Sequence, residues 1–416
     1  MSVAAIQPAQ RSARLMLVAD WLAVAAAVSL PWSTSVTSIL TGAWVVVALF
    51  TLDRESIERV RWMAAVVFPL AIAVYAILAV TWSDVAWPLR LRSLPTVVKL
   101  AVIPLFLIHF RRTGAYGPVF IGFFVSCCAL LVASWLMVMF PWFPLRTPNY
   151  GVPVKDYISQ SGFFSICVVA LLDRAITAWK ESLPTALFCT GGAALFFANI
   201  VFVATGRTSL VALAALLLLL GALRFRGRAL LLFFGALVVL AAAAWAASPY
   251  LRYRVTNVVE DIRDFRANEM DTSSGARLEF WIHSLDIVRE APLFGHGAGS
   301  TREVMSQSFG VDPAQKSAPS NPHNQILAVA IPYGLIGVAL LIAMWIAHLR
   351  LFVTAEFLAS GPVGFIGLAI VVQNIIGGLF NSHLFDFTQG WFYVMGVGIA
   401  GGALFYRRDA QGASPR

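Results

Sequence analysis

Charge is scarce in this chain. Only 12% of its 416 residues are Asp, Glu, Lys or Arg, while 59% are hydrophobic; soluble domains carry about 25% charged residues, so an ordinary soluble globule is excluded. Cysteine is scarcer still. The four present, Cys127, Cys128, Cys167 and Cys189, all fall inside apolar runs, where they read as small core hydrophobes, and no Cys/His spacing resembles a zinc site. Acidic residues are nearly absent from the apolar runs, which argues against a proton-coupled transporter with its Asp and Glu relays. Low-complexity tracts and clear internal repeats are missing too.

What the chain has in abundance is long apolar sequence. Twelve stretches, at 15–30, 36–52, 62–82, 94–110, 118–140, 158–172, 185–205, 209–223, 229–247, 324–347, 362–380 and 390–406, approach the roughly 20 residues that cross a bilayer. Residues 1–30, with Arg11 and Arg14 ahead of an apolar run, also have the outline of a signal peptide; the multispan remainder makes a retained first helix the simpler expectation. With the N-terminus inside, sixteen Lys and Arg residues fall in inner segments and five in short outer loops, so both termini are expected to be cytoplasmic. The net charge of +9 is then a topology signal, and no nucleic-acid partner is expected.

One segment breaks the pattern of short connections: residues 248–322, polar and charged, between the ninth and tenth stretches. Loops of this length are uncommon without a function. Within it, "SSGARLEFWIHSLDIVRE" carries Leu278, Trp281, Ile282, Leu285 and Val288 at helical spacing, with Ser274 as a cap and Pro292 as a stop, which predicts an amphipathic helix lying over the bundle or against lipid headgroups. The expected organisation is a membrane bundle over 1–247, an outer loop with helices over 248–322, a second set of spans over 323–406 and a cytoplasmic tail over 407–416.

The residues suited to chemistry gather on the outer side. In "SNPHNQIL", Asn321 is expected to cap a helix with Pro322 at its first position, placing His323 and Asn324 in the first turn. That helix end would offer unpaired N–H groups to an anion and favour a neutral, proton-accepting imidazole. Arg207 lies in a short outer hairpin, "VATGRTSL", held so close to hydrocarbon that it faces either headgroups or an anion in a cavity. Arg277 opens the loop helix, where a guanidinium could grip phosphate with two hydrogen bonds or simply pair with Glu279. Lys99 lies inside the fourth stretch, snorkelling or facing a polar cavity. Arg90, Arg92 and Arg146 are weaker candidates of the same kind. "GHGAG" at 295–299 is either an anion-binding nest or, more simply, a glycine-rich turn. His283, His296 and His383 are possible supporting groups, the last together with Asp386. The loop carboxylates Asp261, Asp264, Asp271 and Asp286 form no compact pair with a histidine or second acid, so no metal and no other cofactor is expected.

At this point the residues resemble a known family. "SGARLEFW", "APLFGHGAG" about ten residues beyond, and a His-Asn pair followed nine residues later by Gly-x-x-Gly, from His323 through Gly334 to Gly337, look like the core of the O-antigen ligase and polymerase superfamily. The resemblance implies an all-α integral membrane protein of about twelve transmembrane helices, a GT-C-like bundle with a large periplasmic loop containing an amphipathic helix, in the bacterial inner membrane. It implies a glycosyltransferase that takes glycan from an undecaprenyl-diphosphate-linked O-antigen donor, amid membrane lipids, and passes it to an acceptor such as lipid A-core. Carried over residue by residue, the general base is His323, and the arginines on the donor diphosphate are Arg207 and Arg277; Asn324, Asn321, Lys99 and Arg146 are expected as supporting groups from their own positions rather than from the resemblance. One departure is Ala276, which separates Gly275 from Arg277 where many members have Gly and Arg adjacent. A ligase is the leading expectation, favoured by the short sequence after the last apolar stretch; a protein O-oligosaccharyltransferase, an O-antigen polymerase and a lipid-linked oligosaccharide flippase are the alternatives.

Overall fold

Each of the twelve apolar stretches coincides with a helix in the computed structural model, which describes residues 8–140, 150–256, 273–354 and 362–412. The helices are α1 (Pro8–Ser29), α2 (Thr34–Thr51), α3 (Ala64–Leu78), α4 (Trp87–Thr113), α5 (Tyr116–Met139), α6 (Tyr157–Ala178), α7 (Leu183–Phe202), α8 (Arg207–Arg224) and α9 (Gly227–Ala247). After 247 come α10 (Ser273–Glu290), α11 (Thr301–Ser308), α12 (Gln325–Val353), α13 (Pro362–Gly378) and α14 (Phe387–Gly412). Among the described residues, nine helices are long and apolar enough to cross a membrane, while α3 and α13 are shorter apolar helices. A helical fold is what hydrocarbon demands, because a helix satisfies its backbone hydrogen bonds within one segment.

The helices run up and down, with α14 along α4, α7 along α6, and α12 against α3 and α13. Bonds between elements fix which ends lie together. At one end Arg111 pairs with Asp409 at 3.0 Å, Arg112 with Asp53 at 3.0 Å and Arg224 with Asp173 at 2.5 Å. At the other, Lys99 Nζ donates to the Asp386 carbonyl at 2.7 Å, Asn321 Nδ2 to Ser382 Oγ at 2.7 Å and Ser248 Oγ to the Val201 carbonyl at 3.0 Å. Between them the core is packed with large side chains, including Trp44, Phe106, Phe163, Phe164 and Phe196, all under 2% exposed.

α10 lies over the bundle, one of its two expected placements, but only part of the apolar stripe read from sequence is buried there. It packs on α12 through Phe280, Ser284 and Ile287, a narrow i, i+4, i+7 stripe. Leu278, Ile282 and Leu285 lie on the opposite face, 37%, 49% and 48% exposed. Of the stripe read from sequence, Val288 at its edge packs inward with Ile287, while Leu278, Ile282 and Leu285 are turned outward.

α12 is broken near its start. Pro332 lies inside it and Gly334 has φ 60° and ψ −166°, a combination that only glycine adopts without strain. The freed backbone groups are taken by the 292–297 strap: His296 N–H donates to the Ile331 carbonyl at 2.9 Å, Gly297 N–H to Pro332 at 3.0 Å, and Leu335 N–H to Pro292 at 2.8 Å. "GHGAG" is therefore the turn rather than the anion nest, since the N–H groups of Gly295, His296, Gly297 and Ala298 are spent on carbonyls, the last on Ala79 at 3.0 Å. A Cβ at Gly334 would also collide with the Leu293 carbonyl. Gly334→Ala is expected to destabilise the fold by at least about 1–3 kcal/mol from backbone strain, seen as a lowered melting midpoint in detergent. An unchanged midpoint would mean the break in α12 is not held by this residue.

Candidate active site

The site lies at the bundle end where α6, α8, α12 and α14 begin. Asn324, not Asn321, caps α12: its backbone is extended and its Oδ1 accepts from Ile326 N at 2.9 Å and Leu327 N at 3.2 Å. Its Nδ2 donates to the Leu379 carbonyl at 3.0 Å, tying the helix start to the 379–386 loop. Either asparagine suits a cap, and what decides between them is Asn321 Oδ1, which accepts the His323 N–H at 2.8 Å and turns the chain before the helix begins. Two of the N–H groups expected to receive an anion are thus occupied by a side chain.

His323 consequently sits just outside α12, with φ 51°, a left-handed conformation uncommon for a non-glycine residue. Its Nδ1 is 3.0 Å from Asn381 Oδ1. A carboxamide oxygen only accepts, so Nδ1 carries the proton and Nε2 is the proton-accepting atom. Phe280 of α10 stacks on the ring at 6.1 Å between centroids and 18° between planes. Burial lowers the His323 pKa below 6.5; the Asn381 bond opposes this and the charge of Arg277 adds to it. The imidazole is held in its basic form.

Arg277, half-buried on α10, joins several groups. Its charge bears on both His323 and His383. Its own pKa is lowered, first by burial, with Tyr157 opposing and the charges of Arg207 and Arg254 adding to the shift. Arg254 in turn lies over the Tyr157 ring at 5.1 Å. Arg277 thus stands within electrostatic reach of the proton acceptor on one side and of two further guanidiniums, Arg207 and Arg254, on the other, an arrangement suited to a multiply charged anion.

Behind this group stands a polar floor. Lys99, expected either to snorkel or to face a cavity, is buried and bonded to the carbonyls of Asp386 (2.7 Å) and Phe385 (3.4 Å), so it holds the loop that carries Asn381 and His383. Burial lowers the His383 pKa to about 4, against the raising effect of Asp156 and with a further push down from Arg277. Burial likewise raises Asp386 to about 6, Lys99 opposing and Asp156 adding. Asp156 caps α6 through Ser159 N at 2.8 Å.

Of the residues singled out from sequence, Arg207, Arg277, His323, Asn321 and Asn324 fall in this region, Lys99 supports it from beneath, and Arg146 lies outside the described residues. Arg90 is occupied with the carbonyls of Val85 (2.6 Å) and Val80 (3.0 Å). His283 bonds Ser308 at 2.7 Å and His296 the Ile287 carbonyl at 2.9 Å. Sequence reasoning missed Arg254 and Asn381. The only available signal for Arg254 was an arginine just beyond a span in "SPYLRYRV"; Asn381 had none, being 58 residues from its partner. Among the described residues, no group of three or more His, Cys, Asp or Glu side chains is placed to hold a metal ion.

Comparison with known proteins bears on this same region. Residues 192–342 match the model of the O-antigen ligase family. The family covers O-antigen ligases and polymerases, glycosyltransferase-like enzymes acting on lipid-linked O-antigen. The matched segment contains Arg207, Arg254, Arg277 and His323, and leaves out Lys99, Asp156 and the 379–386 loop. The chain is also similar to an uncharacterised protein of Haemophilus influenzae, 28% identical over 127 residues, 29% of this chain and 30% of that protein. The aligned part thus spans under a third of that relative's length.

Proposed function

We propose that the protein is an O-antigen ligase of the bacterial inner membrane, with both termini in the cytoplasm and the His323 end of the bundle facing the periplasm. It transfers a polysaccharide from an undecaprenyl-diphosphate carrier to the outer sugars of lipid A-core. The observation that carries this reading is the convergence of Arg277 with Arg207, Arg254 and the Nε2-basic His323 at one end of the bundle. A flippase would instead be expected to line a path through the bilayer with its cations.

His323 Nε2 removes the proton from the acceptor hydroxyl as its oxygen attacks the anomeric carbon. The bond from that carbon to the diphosphate oxygen breaks, and the electron pair leaves with the lipid diphosphate. The guanidiniums of Arg277, Arg207 and Arg254 stabilise the charge developing on this leaving group. Attack from the face opposite the diphosphate inverts the anomeric centre. The proton then passes from Nε2 of the imidazolium to solvent, while Asn381 Oδ1 keeps the Nδ1–H in place.

The test is reconstitution. Purified protein given a lipid-linked O-polysaccharide and lipid A-core, with a chelator present, is expected to yield capped lipopolysaccharide. Transfer that appears only with an added divalent ion would sink the metal-independent mechanism, and transfer only to protein, or polymer growth on the carrier, would replace the acceptor.

A further inference from the structure

A groove of about 760 Å³ lies between the start of α4, the end of α10, the 296–300 turn and α11, and the proposed chemistry does not use it. Its size falls within the about 300–1,000 Å³ of ligand pockets. Three carboxylates line it, those of Asp84, Glu290 and Glu303, and among the described residues no lysine or arginine does. Val85, Ile287 and Val304 add apolar wall.

α10 ties this groove to the site. Arg277 stands near its start, Phe280 lies on the His323 ring, and Ile287 and Glu290 reach the groove. The 13 residues from Arg277 to Glu290 span about 20 Å at 1.5 Å per residue. A row of rings covers the interval. Ser308, on the groove wall, bonds His283 at 2.7 Å; His283 stacks on Phe309 at 4.0 Å, Phe309 meets Phe280 edge-on at 5.5 Å, and Phe280 stacks on His323 at 6.1 Å. All four rings are half-buried and keep some surface exposed. Carboxylates accept hydrogen bonds from hydroxyls and repel phosphate, while rings and aliphatic walls take the C–H faces of sugars. The groove therefore fits a run of uncharged, hydroxyl-rich sugars. A diphosphate finds its cations at the opposite end of α10.

We propose that the groove is the acceptor subsite: Asp84, Glu290 and Glu303 hold a phosphate-free stretch of the outer core sugars, and the aromatic row leads the accepting hydroxyl to His323 Nε2. This deepens the ligase reading and rests on it. An acceptor held at the end of α10 away from Arg277 also brings its oxygen in from the side opposite the diphosphate, as inversion requires.

The experiment uses the full chain in phosphatidylethanolamine nanodiscs, one donor and two lipid A-core acceptors, one phosphate-free in its outer sugars and one with a phosphomonoester beside the accepting hydroxyl. Wild type is expected to favour the phosphate-free acceptor by at least about ten-fold in kcat/KM, because a phosphate among three carboxylates is a like-charge clash. Glu290→Gln and Glu303→Gln are each expected to raise the acceptor KM about ten-fold, the loss of one hydrogen bond to a charged group, and to leave the donor KM in place. Glu290→Lys combined with Glu303→Lys is expected to bring the two acceptors close to equal. Equal use of both acceptors by wild type, or glutamine substitutions that keep the wild-type acceptor KM, would overturn the proposal. A rise in the donor KM alone would overturn it in favour of the donor's glycan. Binding is read apart from transfer, by calorimetric titration with the phosphate-free core oligosaccharide cut from its lipid: wild type is expected to bind it at least about ten-fold more tightly than the doubly substituted protein. Equal binding, or none by wild type, would also overturn it. The expected binding pattern in a protein that transfers no glycan would count against the ligase reading and not against the groove.

Discussion

His323→Ala is expected to cut glycan transfer by at least about 10²-fold, the range a positioned base contributes, while the protein stays folded and still binds donor. Because the left-handed backbone at this position suits asparagine better than alanine, His323→Asn provides a second variant that keeps the turn and cannot accept a proton at neutral pH. Either variant transferring at the wild-type rate would remove His323 from the mechanism. The pH profile supplies an independent reading. The His323 pKa is depressed by burial and by Arg277, so the free enzyme's imidazole gains its proton only at lower pH than an ordinary histidine. The acid limb of kcat/KM, which reports the free enzyme, is therefore expected below that of an unperturbed histidine, with a plateau above it. Bound diphosphate adds negative charge, so the limb of kcat is expected at higher pH than that of kcat/KM. A kcat/KM limb above pH 6.5 would contradict the buried, cation-flanked setting.

The second large effect belongs to Arg277. Arg277→Ala is expected to lower kcat/KM for the donor by about 10²- to 10³-fold, the cost of removing one preorganised charge donor from a developing anion. Arg277→Lys should recover only part of this, because an ammonium restores the charge without the planar fork. Removing Arg277 also removes one cause of the depressed His323 pKa, so the acid limb in Arg277→Ala should move to higher pH. Substitutions at Arg207 and Arg277 should be less than additive if both serve one diphosphate. Additive losses with an unmoved pH limb would separate the arginine from the histidine and dismantle the shared site.

Much of the architecture is legible in the sequence because hydrocarbon enforces local rules. A backbone in lipid has to bond within its own segment, so each apolar stretch coincides with a helix, and Asp156 and Ser182 mark helix starts as caps of their type do. The failures are also local in origin. Asn321 and Asn324 have equal claims as caps, and what separates them is tertiary: Asn321 Oδ1 is taken by the His323 N–H, while Asn324 Nδ2 is anchored on the 379–386 loop. The apolar stripe of α10 was visible, but a stripe does not say which of two apolar surroundings it meets, and Leu278, Ile282 and Leu285 turned outward. "GHGAG" could have cradled an anion; the break at Gly334 claimed the N–H groups of His296 and Gly297 instead.

By itself the sequence determined that the chain is a helical membrane protein and which polar residues sit at the ends of its helices, since both follow from side-chain hydropathy read segment by segment. Only tertiary structure decided that Asn381 orients the His323 ring, that Arg254 joins Arg207 and Arg277, and that Lys99 is spent on the carbonyls of Phe385 and Asp386. These pairings span tens to hundreds of residues, and their geometry is set by how distant helices pack, which no local pattern encodes.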